Sequence, residues 1–463
     1  MTAVLAPQPE AAALYPPTVE AAPRPLPLRQ FLFRFVKNPL SSLPRQAYEE
    51  PIVQYDNGRY IVAWVTGPEL IEKVLLQASA QFLKTPLEKR VFQHTLGEGI
   101  LTSEGTGWRW QRRIAAPLFR PADLTNLVPA MTEAAQEQVR RWRGAGSGTI
   151  AAIDRDMSET TFHVISATMF AGSADTDAAA IMHASERALA TVSWDVAAAM
   201  LRLPPWMWYP GKFRRRRAGR DLRAAVAAVL ARRRATGLVG DDLLARLARA
   251  RDPETATPMS EKQLVDNLVT FLVAGHETTA KALTWTLYLI ARAPQWQDRI
   301  LAEIAAVVGT GAVGADHVER LPVTRAVLKE AMRLYPPAPV MTRLASEDIE
   351  LGTETVRAGT NIVIPIFAVH RHRKLWEDPD RFDPERFTPE REAKYARTQF
   401  MPFGFGPRTC IGGAFAMMEA TAILATLVRA ARFEWDGVHM PEPLSRVTLR
   451  PKGGMPLKVW LRE

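Results

Sequence analysis

Cys410 is the single cysteine in 463 residues, and its neighbours give it a chemical setting. It stands in Phe403-Gly404-Phe405-Gly406-Pro407-Arg408-Thr409-Cys410-Ile411-Gly412. The run that follows, Ala414 to Val428, is apolar on most helical faces and predicts a buried helix. A cysteine at a helix N-terminus meets free N–H groups and the positive end of the macrodipole, which favours a thiolate. The glycines let the backbone turn sharply and aim N–H groups at the sulfur. Arg408, two residues away, could hold a carboxylate in a bidentate pair. A thiolate in an apolar setting serves as a nucleophile or as a metal ligand. A nucleophile needs a histidine base, and the eight histidines show no local pairing that marks one. An inert buried thiol is the remaining reading.

The second chemical cluster is Ala274-Gly275-His276-Glu277-Thr278-Thr279. Ser260 followed by Gln263 is a capping-box signature, and Pro294 supplies a stop. About 32 residues lie between them, a helix of roughly 48 Å that would cross the whole molecule. In its middle, Gly275 weakens the helix, and the Thr278 hydroxyl can bond back to the carbonyl of Ala274. A carboxylate and a hydroxyl beside such a weak point can gather waters for general-acid work. Desolvating an ionisable group there is costly, so Glu277 is a functional candidate.

The remaining pattern describes the elements that must hold these clusters. Residues 1–30 read as a flexible leader rich in Ala and Pro, ending in an extended strap, with the folded domain at 31–463. Ile52–Tyr55 and Tyr60–Val65 flank Asn57-Gly58, a hairpin with a type I′ turn. A second β-rich stretch runs from Ile349 to Val369, and nearly everything else has helical texture. The expected class is mainly α with small β-sheets.

Composition narrows the function. The chain is 47% hydrophobic with a net charge of +10, modest for its size and without a nucleic-acid recognition module, so nucleic-acid binding is not expected. One cysteine excludes an internal disulfide framework and any zinc site built from paired cysteines. No basic n-region precedes Glu10, and no uninterrupted apolar stretch reaches the roughly 18 residues of a membrane span. A cytoplasmic protein, monomeric and without a transmembrane segment, is therefore expected. Residues 203–217 combine an aromatic cluster with four consecutive arginines, which could rest on a membrane surface, cap an entrance or pack as an ordinary loop.

The cysteine segment resembles the haem-binding loop of the cytochrome P-450 superfamily, Phe-x-x-Gly-x-Arg-x-Cys-x-Gly, at all five fixed positions: Phe403, Gly406, Arg408, Cys410 and Gly412. Three further motifs of that family follow in order. Ala274–Thr279 is similar to its oxygen-activation motif, which implies Ala274 and Gly275 over the cofactor and Glu277 and Thr278 as the acid and hydroxyl of a proton relay. Glu330 and Arg333 match its Glu-x-x-Arg, and Pro384-Glu385-Arg386-Phe387 its downstream partner, which implies a buried structural triad of Glu330, Arg333 and Arg386. Trp108 and Arg112 match its Trp-x-x-x-Arg, which implies contact with a haem propionate, as do Arg343 and Arg408.

The resemblance implies one large domain with a long central helix over haem b, whose axial ligand is Cys410. It also implies an O2-dependent monooxygenase that hydroxylates or epoxidises a hydrophobic small molecule such as a fatty acid, terpenoid, steroid or aromatic. Thr95, Leu96, Ile100, Leu101, Phe271, Ala274 and Val340 are the candidate lining, by position. With 53 residues after Cys410, no fused reductase is expected. Electrons from NAD(P)H would then arrive through a soluble ferredoxin and ferredoxin reductase. Two other functions fit the same resemblance: a peroxide-driven hydroxylase, which typically replaces the acid–threonine pair, and a non-catalytic haem-thiolate ligand-binding protein.

Overall fold

A computed structural model describes residues 13–56, 61–170, 181–182, 184–185, 194–196, 198, 201, 203–204, 206–235, 237–238 and 240–463. The long helix predicted from its caps runs unbroken from Glu261 to Arg292, 32 residues. Ser260 Oγ accepts from the Gln263 N–H at 3.3 Å and Gln263 Oε1 accepts from the Ser260 N–H at 2.9 Å, so the capping box is closed in both directions. Ala293 ends it, because Pro294 opens the next helix, Pro294–Val307.

This central helix threads two apolar cores. Its first half, Leu264 to Val273, packs with Leu96, Ile100, Phe162, Ile165 and Leu222. Its second half, from Ala280 to Ile290, packs with Leu328, Tyr335, Ile423 and Leu427. Residues 274–279 lie at the junction. Helix Ile153–Phe170 crosses it closely there: a Cβ on Gly275 would stand 3.1 Å from Ile165 Cδ1. Gly275 thus admits a neighbouring helix, and the local weakness expected of it does not break the α-helix.

Helix Gly413–Ala430 follows the cysteine loop and packs on the central helix. Among the described residues it is the one helix long and apolar enough to cross a membrane by composition. It is 67% buried inside the fold and carries Glu419, so it is a core helix.

Five strands form the largest sheet, in the order Ile52–Asp56, Ile61–Val65, Asn361–Ile364, Met341–Ala345, Phe82–Leu83. The first pair is the predicted antiparallel hairpin, with Ile52 opposite Val65. Its turn, with Asn57-Gly58, lies outside the described residues. The 349–369 stretch divides into a small hairpin, Ile349–Leu351 with Glu354–Val356, then strand Asn361–Ile364 and a short helix Ile366–Val369.

The C-terminal region departs from the helical texture assigned to it. Strands Ala431–Glu434, Glu442–Ser445, Leu449–Lys452 and Pro456–Leu461 occupy it. Alternating burial at Leu457 and Val459 is the period-two signal of a half-buried strand.

The leader is docked over its described part. Tyr335 donates its hydroxyl to Pro17 O at 2.7 Å, and Ala22 exchanges hydrogen bonds with Leu43 O at 2.8 Å and the Arg45 N–H at 2.7 Å. Helix Leu28–Lys37 begins directly after, so the strap expected at the end of the leader is the whole of residues 13–27.

Candidate active site

The cysteine loop is closed by its own backbone. The Cys410 N–H donates to Phe403 O at 2.8 Å and the Thr409 N–H to Gly406 O at 3.0 Å. Gly406 has φ +75°, and a Cβ there would overlap the Leu75 carbonyl oxygen, so this turn admits only glycine. Gly412 caps helix Gly413–Ala430, placing Cys410 two residues ahead of the cap rather than in the first turn. The Gly412 N–H still reaches the sulfur. Burial pushes the thiol above its ordinary value, while that N–H and the Arg112 charge pull it back. Cys410 is also exposed.

Three arginines stand at this loop: Arg408 within it, Arg112 bonded to it, and Arg343 near enough to Arg408 to act on its charge. Arg112, on helix Gly105–Ala115, donates to Thr409 O at 2.9 Å. Its neighbour Arg113 turns away to Asp252 and Glu254, at 2.6 and 2.7 Å, so the choice of Arg112 by spacing agrees with the geometry. Arg408 lies over the Trp108 ring, 4.1 Å from its centroid, and donates to Ser103 O at 2.9 Å. Arg343, 8% exposed, donates to its neighbour's carbonyl, Thr342 O, at 2.7 Å.

Among the described residues none of the three forms a salt bridge. Burial, then the charge of Arg343, pushes the Arg408 guanidinium down to about 10. Cations gathered at partly desolvated positions without a salt-bridge partner favour an anion. A thiol with an N–H donor beside three such arginines fits haem: Cys410 would hold the iron, and Arg112, Arg343 and Arg408 the propionates.

The central helix is open along one facet. Between Leu264 and Ile290 every residue is buried except Ala274, Gly275 and Thr278, which share a face at offsets of one and four. Thr278 Oγ1 donates to Ala274 O at 2.8 Å, as its position predicts. Glu277 lies off this facet. Its Oε1 accepts from Thr448 Oγ1 at 2.7 Å and from Arg450 Nη2 at 2.9 Å. Both donors belong to the C-terminal hairpin, 171 and 173 residues away in sequence. Sequence reasoning missed them. The alternation of Thr448 and Arg450 around buried Leu449 was the available sign of a strand, but nothing in it names Glu277.

A second acid was also missed. Glu419, 1% exposed on the cysteine helix, hydrogen-bonds the Thr279 side chain, and burial pushes its carboxyl up to about 8.

The candidate lining residues divide. Leu96, Ile100 and Phe271 share one apolar cluster, to which Trp108, Ile411 and Val447 add partly buried side chains. Thr95 packs toward helix Lys212–Ala235 instead: a Cβ on Gly219 would be 3.2 Å from Thr95 Cα. Leu101 is exposed and lines a cleft with Lys84, Glu88, Phe92 and Glu104. Val340 packs on the other core. Leu96, Ile100 and Phe271 thus fall in one apolar cluster and Val340 in the other.

The structural triad is assembled as expected. Arg333 Nε and Nη2 reach the two Glu330 oxygens at 2.6 and 2.7 Å, and Arg386 Nε is 3.6 Å from Glu330 Oε1. Arg333 also donates to His370 O, Pro379 O and Arg381 O.

Comparison with known proteins gives the family. The family model for cytochrome P-450 matches residues 21–457. A cytokinin hydroxylase of Arabidopsis thaliana is 32% identical over 424 residues, 86% of this chain and 80% of the relative. A cyclooctat-9-en-7-ol 5-monooxygenase of Streptomyces melanosporofaciens is 31% identical over 415 residues, 89% of each. The crystal structure of the cytochrome P450DA heme domain superposes with a TM-score of 0.82 at 26% identity, over 97% of this chain and 98% of that one. By family model, relatives and fold alike, this chain belongs to the cytochrome P-450 family of haem-thiolate monooxygenases.

Proposed function

We propose that this enzyme inserts one oxygen atom into a hydrophobic small molecule, of fatty acid, terpenoid, steroid or aromatic type. The apolar cluster of Leu96, Ile100 and Phe271 beside the first half of the central helix supports that class, because burial of apolar surface is what such a site offers a ligand. The observation that carries the reading is the facet itself, an accessible Ala274-Gly275-Thr278 face on an otherwise buried helix. Bound haem supplies the oxidising chemistry, and its thiolate ligand favours O–O cleavage.

The chain's own residues supply position and protons. Thr278 offers a hydroxyl at the open face. Arg450 and Thr448 fix Glu277 Oε1, leaving Oε2 for proton exchange. The intact acid–threonine pair favours reduction by a partner over peroxide alone. We assign that role to a soluble ferredoxin and its NAD(P)H-dependent reductase, steered by the positive balance, in the cytoplasm.

The first test is the reduced, carbon monoxide-bound difference spectrum of wild type beside Cys410→Ala. A strongly red-shifted Soret band in wild type alone is the expected result; well-folded wild type without haem would overturn the reading. Turnover of apolar substrates with ferredoxin and reductase is expected to exceed turnover with peroxide, and the reverse ranking would make the enzyme peroxide-driven.

A further inference from the structure

Lys84, Glu88 and Glu104 line one cleft with Phe92 and Leu101. The Lys84 side chain is only 13% exposed, although lysine ordinarily keeps its ammonium in water. Here the ammonium is held inward. Lys84 Nζ donates to Leu101 O and stands 3.3 Å from Glu88 Oε2, in the first turn of helix Pro86–Leu96. The Lys84 N–H donates to Glu104 Oε1 at 2.9 Å. Glu88 is fixed from the other side: its Oε1 accepts from Thr342 Oγ1 at 3.1 Å, and its N–H donates to Thr85 Oγ1 at 3.3 Å. An ion pair four residues apart on an open helix face is loose and screened. This one is fastened at both ends to other elements.

The fastenings lead to the arginines. Thr342, which meets Glu88 through its hydroxyl, accepts from Arg343 Nη1 at its carbonyl at 2.7 Å. Glu104 is the N-cap of helix Gly105–Ala115, and its neighbour Ser103 gives its carbonyl to Arg408 at 2.9 Å. A single residue, Thr342 or Ser103, thus lies between each acid and an arginine assigned to a propionate. Burial pushes the Arg343 guanidinium and the Lys84 ammonium down, and Glu88 is the foremost charge pushing each back up. Glu104 acts in the same direction on Arg343 and Arg408.

We propose that Lys84 and Glu88 are a tuning pair for the reduction potential of haem, acting through the charge they place behind the propionate arginines. The inference rests on Cys410 binding haem. Reduction adds one electron to the haem, supplied by the reduction partner, and no bond to Lys84 or Glu88 forms or breaks. A negative charge held nearby opposes that electron, and a positive charge favours it. Glu88 therefore holds the potential down and Lys84 holds it up. Because the two side chains are paired, each limits the field of the other.

The test is spectroelectrochemical titration of the haem-loaded full chain without substrate. Glu88→Gln keeps an acceptor for Thr342 and removes the charge. It is expected to shift the ferric–ferrous equilibrium about threefold toward ferrous, a rise of about 30 mV. Lys84→Gln is expected to shift it about threefold the other way. Lys84→Arg is expected to stay at the wild-type value, and Lys84→Gln combined with Glu88→Gln to return close to it. Added salt is expected to shrink the Glu88→Gln shift, since that side chain is 27% exposed. Opposite signs are the signature, because a merely loosened loop would move both single variants in one direction. Unmoved potentials in both single variants would overturn the proposal, as would shifts of the same sign. Should Lys84→Gln fail to load haem, the direction of the Glu88→Gln shift decides. A carbon monoxide difference spectrum is taken first: wild type without haem overturns the haem reading itself, whereas haem-loaded variants at the wild-type potential overturn the tuning pair alone.

Discussion

At the scale of single residues, the carboxylate of Glu277 separates what its motif shows from what its surroundings decide. The motif places it one residue before Thr278. The fold turns it toward Thr448 and Arg450, where a side chain that is 31% exposed links a nearly buried acid to the molecular surface. If Glu277 carries protons, Glu277→Gln should slow product formation about a hundredfold with the carbon monoxide spectrum unchanged. Arg450→Met should act in the same direction and more weakly, about tenfold, because Thr448 still holds Oε1. The readout is product formed per NAD(P)H consumed. Unchanged coupling in Arg450→Met would make that ion pair merely structural. Cys410, Phe403, Gly406 and Arg408 were legible without a structure because their relationship is local: the loop closes on itself through Phe403 O and Gly406 O. Thr448 and Arg450 were not, because a strand's sequence does not record which distant helix it will meet.

The elements show the same division. The spacing of Glu330 and Arg333 puts both on one face of helix Pro322–Leu334, and that much is periodicity. Their strength as a unit comes from the irregular segment 370–383, whose carbonyls at His370, Pro379 and Arg381 take the remaining guanidinium protons. Lysine has three donors on one nitrogen and cannot serve both Glu330 oxygens and three carbonyls. Arg333→Lys is therefore expected to cost about 3–5 kcal/mol in urea unfolding. A loss below about 1 kcal/mol, ordinary for a surface pair, would show the triad to be dispensable. The central helix was readable end to end because caps are local chemistry. The C-terminal strands were short and had no turn signal as strong as Asn57-Gly58, so their helical reading gave way to pairings such as Val459 with Phe433.

At the scale of the whole molecule, burial couples stability to pH through two groups that face away from solvent. Burial pushes Glu419 from 4.5 up to about 8, so in that window the folded chain keeps a proton the unfolded chain has released. Stability then falls as pH rises, by about 1.4 kcal/mol per unit. His370 works in the opposite sense. Burial, then the charges of Arg333 and Arg371, pushes it from 6.5 down to about 3, so the unfolded chain binds the extra proton and stability falls as pH drops through that window. The contributions of these two groups cancel between 4.5 and 6.5. Glu419→Gln should flatten the alkaline limb and His370→Gln the acid limb in urea midpoints measured across pH. An alkaline limb unchanged in Glu419→Gln would mean the carboxyl is ionised in the folded chain.

By itself the sequence determined the cysteine loop, the capped central helix, the paired residues of the triad and the family, since each is written within a turn of helix or a single loop. Tertiary structure decided which of the candidate lining residues share a core, which donors hold Glu277, and that Glu419 stands buried against Thr279. Those outcomes depend on how apolar faces far apart in the chain are buried together. Burial is non-directional, proportional to area and indifferent to sequence distance, so no local pattern records where it brings two side chains into contact.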